Sequence, residues 1–325
     1  MTKSIRKSIM ASLLVVFVLI MAMFLMACDD KKSEDNTVVV PKNEVVKIST
    51  LSEFMAISND ENKAYELTND IDCEGAVLTP IGCESQPFIG TLDGKGFEIT
   101  NFVLDESSIK MNAVTGEYYA GVFGVIGDSQ IKDITFSNFG IDFMDNGTIT
   151  NVLNFGLIAE SQDNANVVLS NVSISNMNIA ITVDNIAFGS FIAKDSATGS
   201  RSGLKLQNST INIFTNGEFV SSPIVIGGLF GSINASVSID ACEIKENAFD
   251  LSYMGMGAMH VGLVGGALSS ADAIVEVSNV VGENTIASVV SFGESTLAEN
   301  IVGYVAPSAV LNETNNTFTN CEIIY

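Results

Sequence analysis

The stretch Ala120-Gly121-Val122-Phe123-Gly124 contains a short motif that returns through the rest of the chain. Each copy is a glycine flanked by apolar residues, and successive copies lie 33 to 41 residues apart: Phe155-Gly156-Leu157-Ile158-Ala159, Phe188-Gly189-Ser190-Phe191-Ile192-Ala193, Gly227-Gly228-Leu229-Phe230-Gly231, Val261-Gly262-Leu263-Val264-Gly265 and Val302-Gly303-Tyr304-Val305-Ala306. Self-similarity at such a period is typical of a repeat array. The sequence therefore predicts stacked copies of one structural unit.

A second motif, apolar-x-Asn-apolar, follows the glycine motif after a loop of variable length. Its copies are Ile99-Thr100-Asn101-Phe102, Ile131-Lys132-Asp133-Ile134, Leu169-Ser170-Asn171-Val172, Leu206-Gln207-Asn208, Val277-Ser278-Asn279-Val280 and Phe318-Thr319-Asn320-Cys321, with Ile239-Asp240-Ala241-Cys242 as the departing unit. A short strand can bury its apolar face on an identical strand but not alone. We expect parallel β-coils in which the repeated Asn side chains form a hydrogen-bonded ladder. The alternative is a β-sandwich, whose strands recur about every 8–12 residues without a long period.

One helix is expected. Thr50-Leu51-Ser52-Glu53 has the spacing of a capping box, which predicts a short helix that ends near Asn59-Asp60 and covers the first coil. Beyond it, β-branched and aromatic residues alternate with polar ones. The expected fold class is all-β, a parallel β-helix solenoid with a short N-terminal capping helix.

The N-terminus has the pattern of an export signal. Lys3, Arg6 and Lys7 precede an apolar run, and Leu25-Met26-Ala27-Cys28 resembles a bacterial lipobox, with Met26 where smaller residues are commoner. The resemblance implies cleavage between Ala27 and Cys28 and lipidation of Cys28, which would hold the protein on a membrane. The expected domains are a signal peptide (1–27), a flexible tether (28–47) and a repeat domain (48–325).

The charge balance excludes one class of partner. Residues 1–27 hold three of the 15 basic residues and none of the 38 acidic ones, so the processed chain keeps 12 basic residues. Nucleic-acid binding requires clustered Lys and Arg, so no nucleic-acid partner is expected.

Two parts of the chain resemble the GLUG-motif repeat regions of bacterial surface proteins. The opening segments 65–72, 80–82 and 87–99 resemble the start of such regions, and Gly121-Val122-Phe123-Gly124, Gly228-Leu229-Phe230-Gly231 and Gly262-Leu263-Val264-Gly265 resemble the glycine motif itself. Val77-Leu78 departs from the family pattern, which has an aromatic residue before Pro-Ile-Gly. The resemblance covers roughly residues 48–325 and implies a right-handed parallel β-helix on an exported, often cell-surface, protein. It implies no activity.

The sequence contains few residues in patterns typical of catalytic sites. The one histidine, His260, excludes a His-Glu-x-x-His zinc site and lies beside an apolar motif, where a structural role is commoner. Asp70 and Asp72 share a strand face but fit turn roles, and Asp93-Gly94-Lys95-Gly96 fits a tight turn better than a calcium loop. We expect no catalytic residues, metal or cofactor. A polysaccharide lyase or hydrolase is the enzymatic alternative, which needs convergent carboxylates.

The four cysteines outside the signal region have two expected roles. Cys73 and Cys83 are ten residues apart in an exported chain and form a candidate disulfide. Cys242 and Cys321 are expected to occupy equivalent repeat positions as small buried side chains.

The function expected from these features is a display, adhesion or binding scaffold in the cell envelope, exposed at the cell surface. Its partners would be a glycan or a host or envelope protein. Binding groups concentrate on loops held by rigid scaffolds, and the longest loops contain the candidate binding residues Glu160, Asp163, Asn164, Lys194, Asp195 and Arg201. Because no cap follows the last repeat strand before Tyr325, self-association through the C-terminal end is also expected.

Overall fold

The computed structural model describes residues 44–58, 63–217, 222–255, 257–291, 295–299 and 301–324. The predicted signal peptide, the cleavage site at Ala27 and the lipidation site at Cys28 lie outside the described residues. The sequence assigns residues 44–47 to the flexible tether, and the structure corrects this boundary. These residues belong to a strand, Glu44–Ile48, that pairs in parallel with Lys63–Leu67.

A five-residue helix, Leu51–Met55, follows the first strand. The backbone N–H of Glu53 donates to Thr50 Oγ1 at 3.2 Å, and the Glu53 carboxylate accepts from the Thr50 N–H at 3.1 Å. Phe54 is fully buried against the coil stack. The other helical element of the described residues is a single 3₁₀ turn, Glu106–Ser108.

Strands make up nearly all the rest of the described residues, and they form three sheets. The first sheet has 20 strands, all paired in parallel. They are Glu44–Ile48, Lys63–Leu67, Ile71–Asp72, Phe88–Asp93, Glu98–Thr100, Phe123–Ser137, Ile158–Ser161, Val167–Ser175, Ile192–Asp195, Gly199–Ser202, Lys205–Gln207, Phe230–Ile233, Val237–Asp240, Glu243–Lys245, Gly265–Leu268, Ile274–Ser278, Val281–Glu283, Val302–Val305, Val310–Thr314 and Thr317–Thr319.

The second sheet has seven strands and the third has six. The second consists of Lys110–Met111, Tyr118–Ala120, Leu153–Phe155, Ile186–Gly189, Ile224–Gly227, Ala258–Gly262 and Ser295–Glu299. The third consists of Gly140–Met144, Asn178–Val183, Thr210–Thr215, Ala248–Tyr253, Ile286–Ser291 and Glu322–Ile324. Only Lys110–Met111 pairs antiparallel with its neighbour among these described strands.

Each coil of the solenoid visits the three sheets in a fixed order. From Tyr118–Ala120 in the second sheet the chain enters Phe123–Ser137 in the first and Gly140–Met144 in the third, and then returns to Leu153–Phe155, which pairs with Tyr118–Ala120. Six coils within the described residues each contribute one strand to the third sheet. The parallel β-solenoid predicted from the glycine repeat is therefore confirmed, and the β-sandwich alternative is wrong.

The core lies inside the coils because every second residue of a strand points inward. Strand Thr210–Thr215 shows the alternation in full, with exposed and buried residues in turn. Equivalent inward residues stack on one another along the solenoid, as with Phe155 and Phe188, which are in register on neighbouring strands and have ring centroids 6.0 Å apart. Full burial of such a ring stabilises the fold by about 1.5–3 kcal/mol.

The glycine motif marks the bend between the second and first sheets. A Cβ on Gly121 would collide with the carbonyl oxygen of Gly156, the equivalent residue of the next coil. Glycine is required here because the backbones of successive coils touch directly.

The asparagines of the second motif lie at two different corners. Register pairs Ser137, Ser175 and Gln207, so Asn138, Asn176 and Asn208 form one column. A separate column contains Asp133, Asn171, Ala241, Asn279 and Asn315, and residues of both columns have positive φ. The prediction of a single asparagine ladder is therefore corrected to two separate columns. Hydrogen bonds between side-chain amides of successive coils do occur, as from Asn176 Nδ2 to Asn138 Oδ1 at 3.0 Å.

The same correction applies to two cysteines. Cys242 follows Ala241 in one corner column, whereas Cys321 follows Asn320, which donates to Asn284 at 3.0 Å in the other. They are therefore not equivalent positions. Cys242 is fully buried, and burial raises the pKa of its thiol to about 12.

Candidate functional site

Two of the predicted binding-loop residues lie in the interior. Arg201 and Asp195 are both 0% exposed and form a two-pronged ion pair, in which Nε of Arg201 lies 3.0 Å from Oδ2 and a terminal nitrogen lies 2.8 Å from Oδ1 of Asp195. Arg201 also donates to the carbonyl oxygens of Val167 and Ala197. Assigning Asp195 and Arg201 to a binding loop was wrong, because neither side chain reaches solvent.

The Ser and Gly residues around Arg201 are typical of a loop, so the sequence did not indicate that Arg201 is buried in a strand. Gly199–Ser202 is a strand, and its register pairs Arg201 with Leu169 on one side and Ile239 on the other. Arg201 thus occupies an apolar inward column. Aligning the repeats by strand register, instead of reading the loop by composition, would have placed it there.

Glu160 and Lys194 belong to a polar cluster between the second and first sheets. Nδ2 of Asn154 donates to Glu160 Oε1 at 2.9 Å and to Glu117 Oε2 at 3.0 Å, and Nζ of Lys194 donates to the same Glu117 oxygen at 2.7 Å. These four residues are called the Glu117 cluster. Two carboxylates thus converge on one amide.

Burial sets the electrostatics of this cluster. Glu160 is 7% exposed, and desolvation raises the pKa of its carboxyl group above the ordinary value. The Lys194 charge and the Asn154 hydrogen bond act in the opposite direction, while the nearby Glu117 charge adds to the increase. Glu160 is therefore closed off from solvent, and the exposed part of the cluster is the Glu117–Lys194 ion pair.

The remaining predicted binding residues lie on a short exposed turn. Asp163 and Asn164 are both exposed, and Asn164 has a φ of 62°. Of the six predicted residues, these two are the ones that an external partner can contact freely.

The cysteines and the histidine have separate surroundings. Cys73 and Cys83 are free thiols in the structure, so the candidate disulfide stays a prediction; burial raises the pKa of Cys73 to about 11. His260 is stacked on Tyr304, with ring centroids 4.5 Å apart and an interplanar angle of 12°. Burial lowers the pKa of His260, which keeps the imidazole neutral at lower pH than usual.

The carboxylates considered for cation binding hold backbone turns. Oδ1 of Asp72 accepts from the Glu74 N–H at 2.9 Å, and Oδ1 of Asp93 accepts from the Lys95 N–H at 2.9 Å. Within the described ranges there is no group of three His, Cys, Asp or Glu side chains that could hold a metal ion.

The outer face of the third sheet contains an open groove. Register places Met144, Thr182 and Phe214 on one line across successive coils, and Asp142, Ala180, Asn212 and Asp250 on the adjacent line. Because Ala180 and Thr182 are small, they leave a hollow of about 260 Å³ between the larger side chains of Met144 and Phe214. These seven residues are called the third-sheet groove.

The groove exposes two kinds of side chain that lack partners among the described residues: large apolar ones and polar ones. Met144 is 67% exposed and Phe214 is 38% exposed. The exposed side chains of Asp142, Asn212 and Asp250 form no hydrogen bond or ion pair with other residues in the described part of the chain. The six strands of the sheet contain three acidic residues, Asp142, Asp250 and Glu322, and no Lys or Arg.

Sequence reasoning missed the groove because its residues share no motif. Each coil contributes one or two outward positions of an ordinary alternating strand, and the coils are separated by loops of different length. The usable signal is the pair of exposed apolar residues at outward positions, Met144 and Phe214, and it appears only after the strands are in register.

Comparison with known proteins gives one weak likeness. No protein-family model and no curated protein matches this chain. A solved structure described as "L. reuteri 53608 SRRP" is similar, with 11% identity, 86% of this chain and 98% of that chain covered, and a TM-score of 0.22. A TM-score this low carries no inference about binding or activity. Neither helix within the described residues is long and apolar enough to cross a membrane.

Proposed function

We propose that this chain is a lipid-anchored, surface-exposed binding scaffold of a bacterial cell envelope. In this proposal the solenoid is a right-handed β-helix of the GLUG-repeat type, the helix Leu51–Met55 covers its first coil, and acylated Cys28 holds it on the membrane. The lipobox resemblance at residues 25–28 supports the anchor.

The observation that carries the binding role is the third-sheet groove. A sheet packed on one face only needs a wet polar outer surface, and exposed Thr, Ser and Asn would provide it. Here the outer face instead combines two exposed apolar walls, Met144 and Phe214, with unpartnered polar groups from Asp142, Asn212 and Asp250. Concave surfaces of this composition are the usual places where partners bind.

Filling the groove tests the binding role. The full chain is applied to a glycan array and to a panel of matrix and envelope proteins, and Thr182→Tyr, which occupies the hollow, should lose the signals of the wild type. The matched control is Thr317→Tyr, an exposed strand threonine on the first sheet. Blank arrays with wild-type protein, or equal signals for wild type and Thr182→Tyr, would argue against a groove-based scaffold.

The anchor has a separate test. Cys28→Ala should abolish fatty-acid labelling and release the protein from the membrane fraction, and protease treatment of intact cells should degrade the wild-type protein. Continued labelling of the Cys28→Ala protein would remove lipidation from the proposal, and full resistance to external protease would remove surface exposure.

A second candidate function, glycoside hydrolysis, is favoured by one observation: Glu117 and Glu160 both bind Nδ2 of Asn154. Two carboxylates flanking a bond are what such hydrolysis requires, and the raised pKa of Glu160 suits a general acid. Contact with a sugar would need Asn154 and Lys194 to move aside. Release of reducing sugar from a polysaccharide panel by wild type, but not by Glu117→Gln, would support this alternative.

A further inference from the structure

We propose that the third-sheet groove binds an extended, basic segment of a partner protein, with two Lys or Arg side chains about four residues apart. This inference rests on the proposed binding function and assigns the chemistry of its ligand.

Charge complementarity is the first argument. Asp142 and Asp250 are exposed, neither has an ion-pair partner among the described residues, and the six strands of the sheet supply no basic residue. The whole chain has a formal net charge of −23, so its field repels anionic ligands. A neutral ligand that covered the groove would desolvate the two carboxylates without compensating them, whereas a cationic ligand would pair with them.

The apolar walls fit the same ligand. Lys and Arg side chains pack their methylene stems along apolar surface while the charged head reaches a polar group. Met144 and Phe214 provide that surface on the line beside Asp142 and Asp250. The Phe214 ring also attracts a cation placed over its face, which a polar side chain at this position would not do.

The spacing of the carboxylates sets the length of the segment. Register places Asp142, Ala180, Asn212 and Asp250 on successive coils, so three strand separations lie between the two carboxylates. At about 4.8 Å per strand this is roughly 14 Å, and an extended peptide at about 3.4 Å per residue covers that distance in about four residues. Asn212, between the two, can both donate to and accept from the peptide backbone.

The test uses the full chain and three defined probes. The first is a labelled 12-residue peptide with Lys at positions 5 and 9, four residues apart as the two carboxylates require, and with flanking residues that extend beyond the groove. The others are the same peptide with Glu at both positions and a neutral oligosaccharide. The Lys peptide should bind, with affinity that falls as salt increases. Asp142→Asn and Asp250→Asn should each weaken it about tenfold, the loss expected for one charge-assisted hydrogen bond. Phe214→Ala should weaken it in the same direction, and Glu276→Gln, which removes an exposed charge on the first sheet, should leave it unchanged.

The outcomes separate this inference from the proposed function. Equal binding of the Lys and Glu peptides, or insensitivity to Asp142→Asn and Asp250→Asn, would overturn the basic-segment inference. Binding of the oligosaccharide alone, lost in Phe214→Ala, would overturn it while leaving a groove-based scaffold in place. No groove-dependent binding of any probe, together with blank arrays, would overturn both.

Discussion

Two ionisable side chains, Arg201 and Asp195, lie fully inside the coil stack. Desolvation of each charge is costly, and the bidentate pairing offsets that cost only while both partners are present. The hydroxyl of Ser161 donates to Asp195 at 2.8 Å and accepts from the backbone N–H groups of Ser196 and Ala197, which fixes the position of the carboxylate. The pair is therefore a structural element that joins neighbouring coils.

Removal of the arginine alone should be severe. Arg201→Met leaves the Asp195 carboxylate buried without its cation, so the free energy of unfolding should fall by about 3–5 kcal/mol in urea denaturation. Lys205→Met is the control, since Lys205 is 45% exposed and its pair with Glu243 lies at the surface; it should change stability by less than about 1 kcal/mol. The double variant Asp195→Leu/Arg201→Met should recover much of the lost stability. If the double variant loses as much free energy of unfolding as Arg201→Met, or more, the buried unpaired carboxylate is not the cause.

Glu160 makes stability depend on pH in a defined direction. Its pKa is raised in the folded protein, so the folded state holds the proton more tightly than the unfolded chain, and stability is lost as pH rises through the folded pKa. Glu160→Gln should therefore stabilise the protein at pH 7 and have little effect below the ordinary glutamate pKa. Thermal unfolding of the wild type and of Glu160→Gln, from below the ordinary glutamate pKa up to pH 7, measures the effect. A stabilisation by Glu160→Gln that is the same at every pH would refute it.

At the scale of the element, the corners decide how the strands turn. Both corner columns use residues with positive φ, which Asn, Asp and Gly adopt most easily. The apolar-x-Asn-apolar motif predicted from sequence found these residues but assigned them to one column. It could not separate them, because the two corners of a coil are a few residues apart and both accept Asn, so only the pairing of strands distinguishes Asn171 from Asn208.

Ala241 is a weak point in one corner column. It has a φ of 52°, where an ordinary L-residue is strained and Asn is tolerated better. Ala241→Asn should increase the free energy of unfolding by about 0.5–1 kcal/mol, and Asn171→Ala should lower it by about 1 kcal/mol, since it loses both the conformational preference and the bond to Asp133.

The control for this corner is the same substitution in a strand. Ala248 is exposed and begins the strand Ala248–Tyr253, so Ala248→Asn should give no stabilisation. Thermal unfolding compares the three variants. An equal gain at both alanine positions would show that the backbone conformation of Ala241 is not the cause.

For the whole molecule, the 33- to 41-residue glycine period was enough to predict a parallel solenoid. That period reflects a physical requirement, because backbones of successive coils touch at Gly121 and Gly156. The third-sheet groove could not be predicted in the same way. It depends on small side chains at Ala180 and Thr182 lying between larger ones on neighbouring coils, and the one-dimensional sequence does not show which coils are neighbours.

Removal of one complete coil should leave a folded solenoid, because each coil contacts only its neighbours. Deletion of residues 176–207 joins Ser175 to Asn208, which begins the equivalent corner, and it removes Asp195 and Arg201 together. The variant should keep a β-type circular dichroism spectrum and cooperative unfolding. Deletion of residues 176–191 joins Ser175 to Ile192, out of register, and should abolish cooperative unfolding; similar behaviour of the two deletions would contradict nearest-neighbour stacking.

The first strand also determines how the molecule responds to mechanical load. Glu44–Ile48 pairs with Lys63–Leu67 along its whole length, and its hydrogen bonds point along the axis on which the coils stack. Tension applied to the chain ahead of Glu44 and directed along that axis would open this ladder one bond at a time, as a zipper opens. Tension directed along the strand would load all the bonds in shear, so the force needed to pull this strand away would depend on the angle of pull.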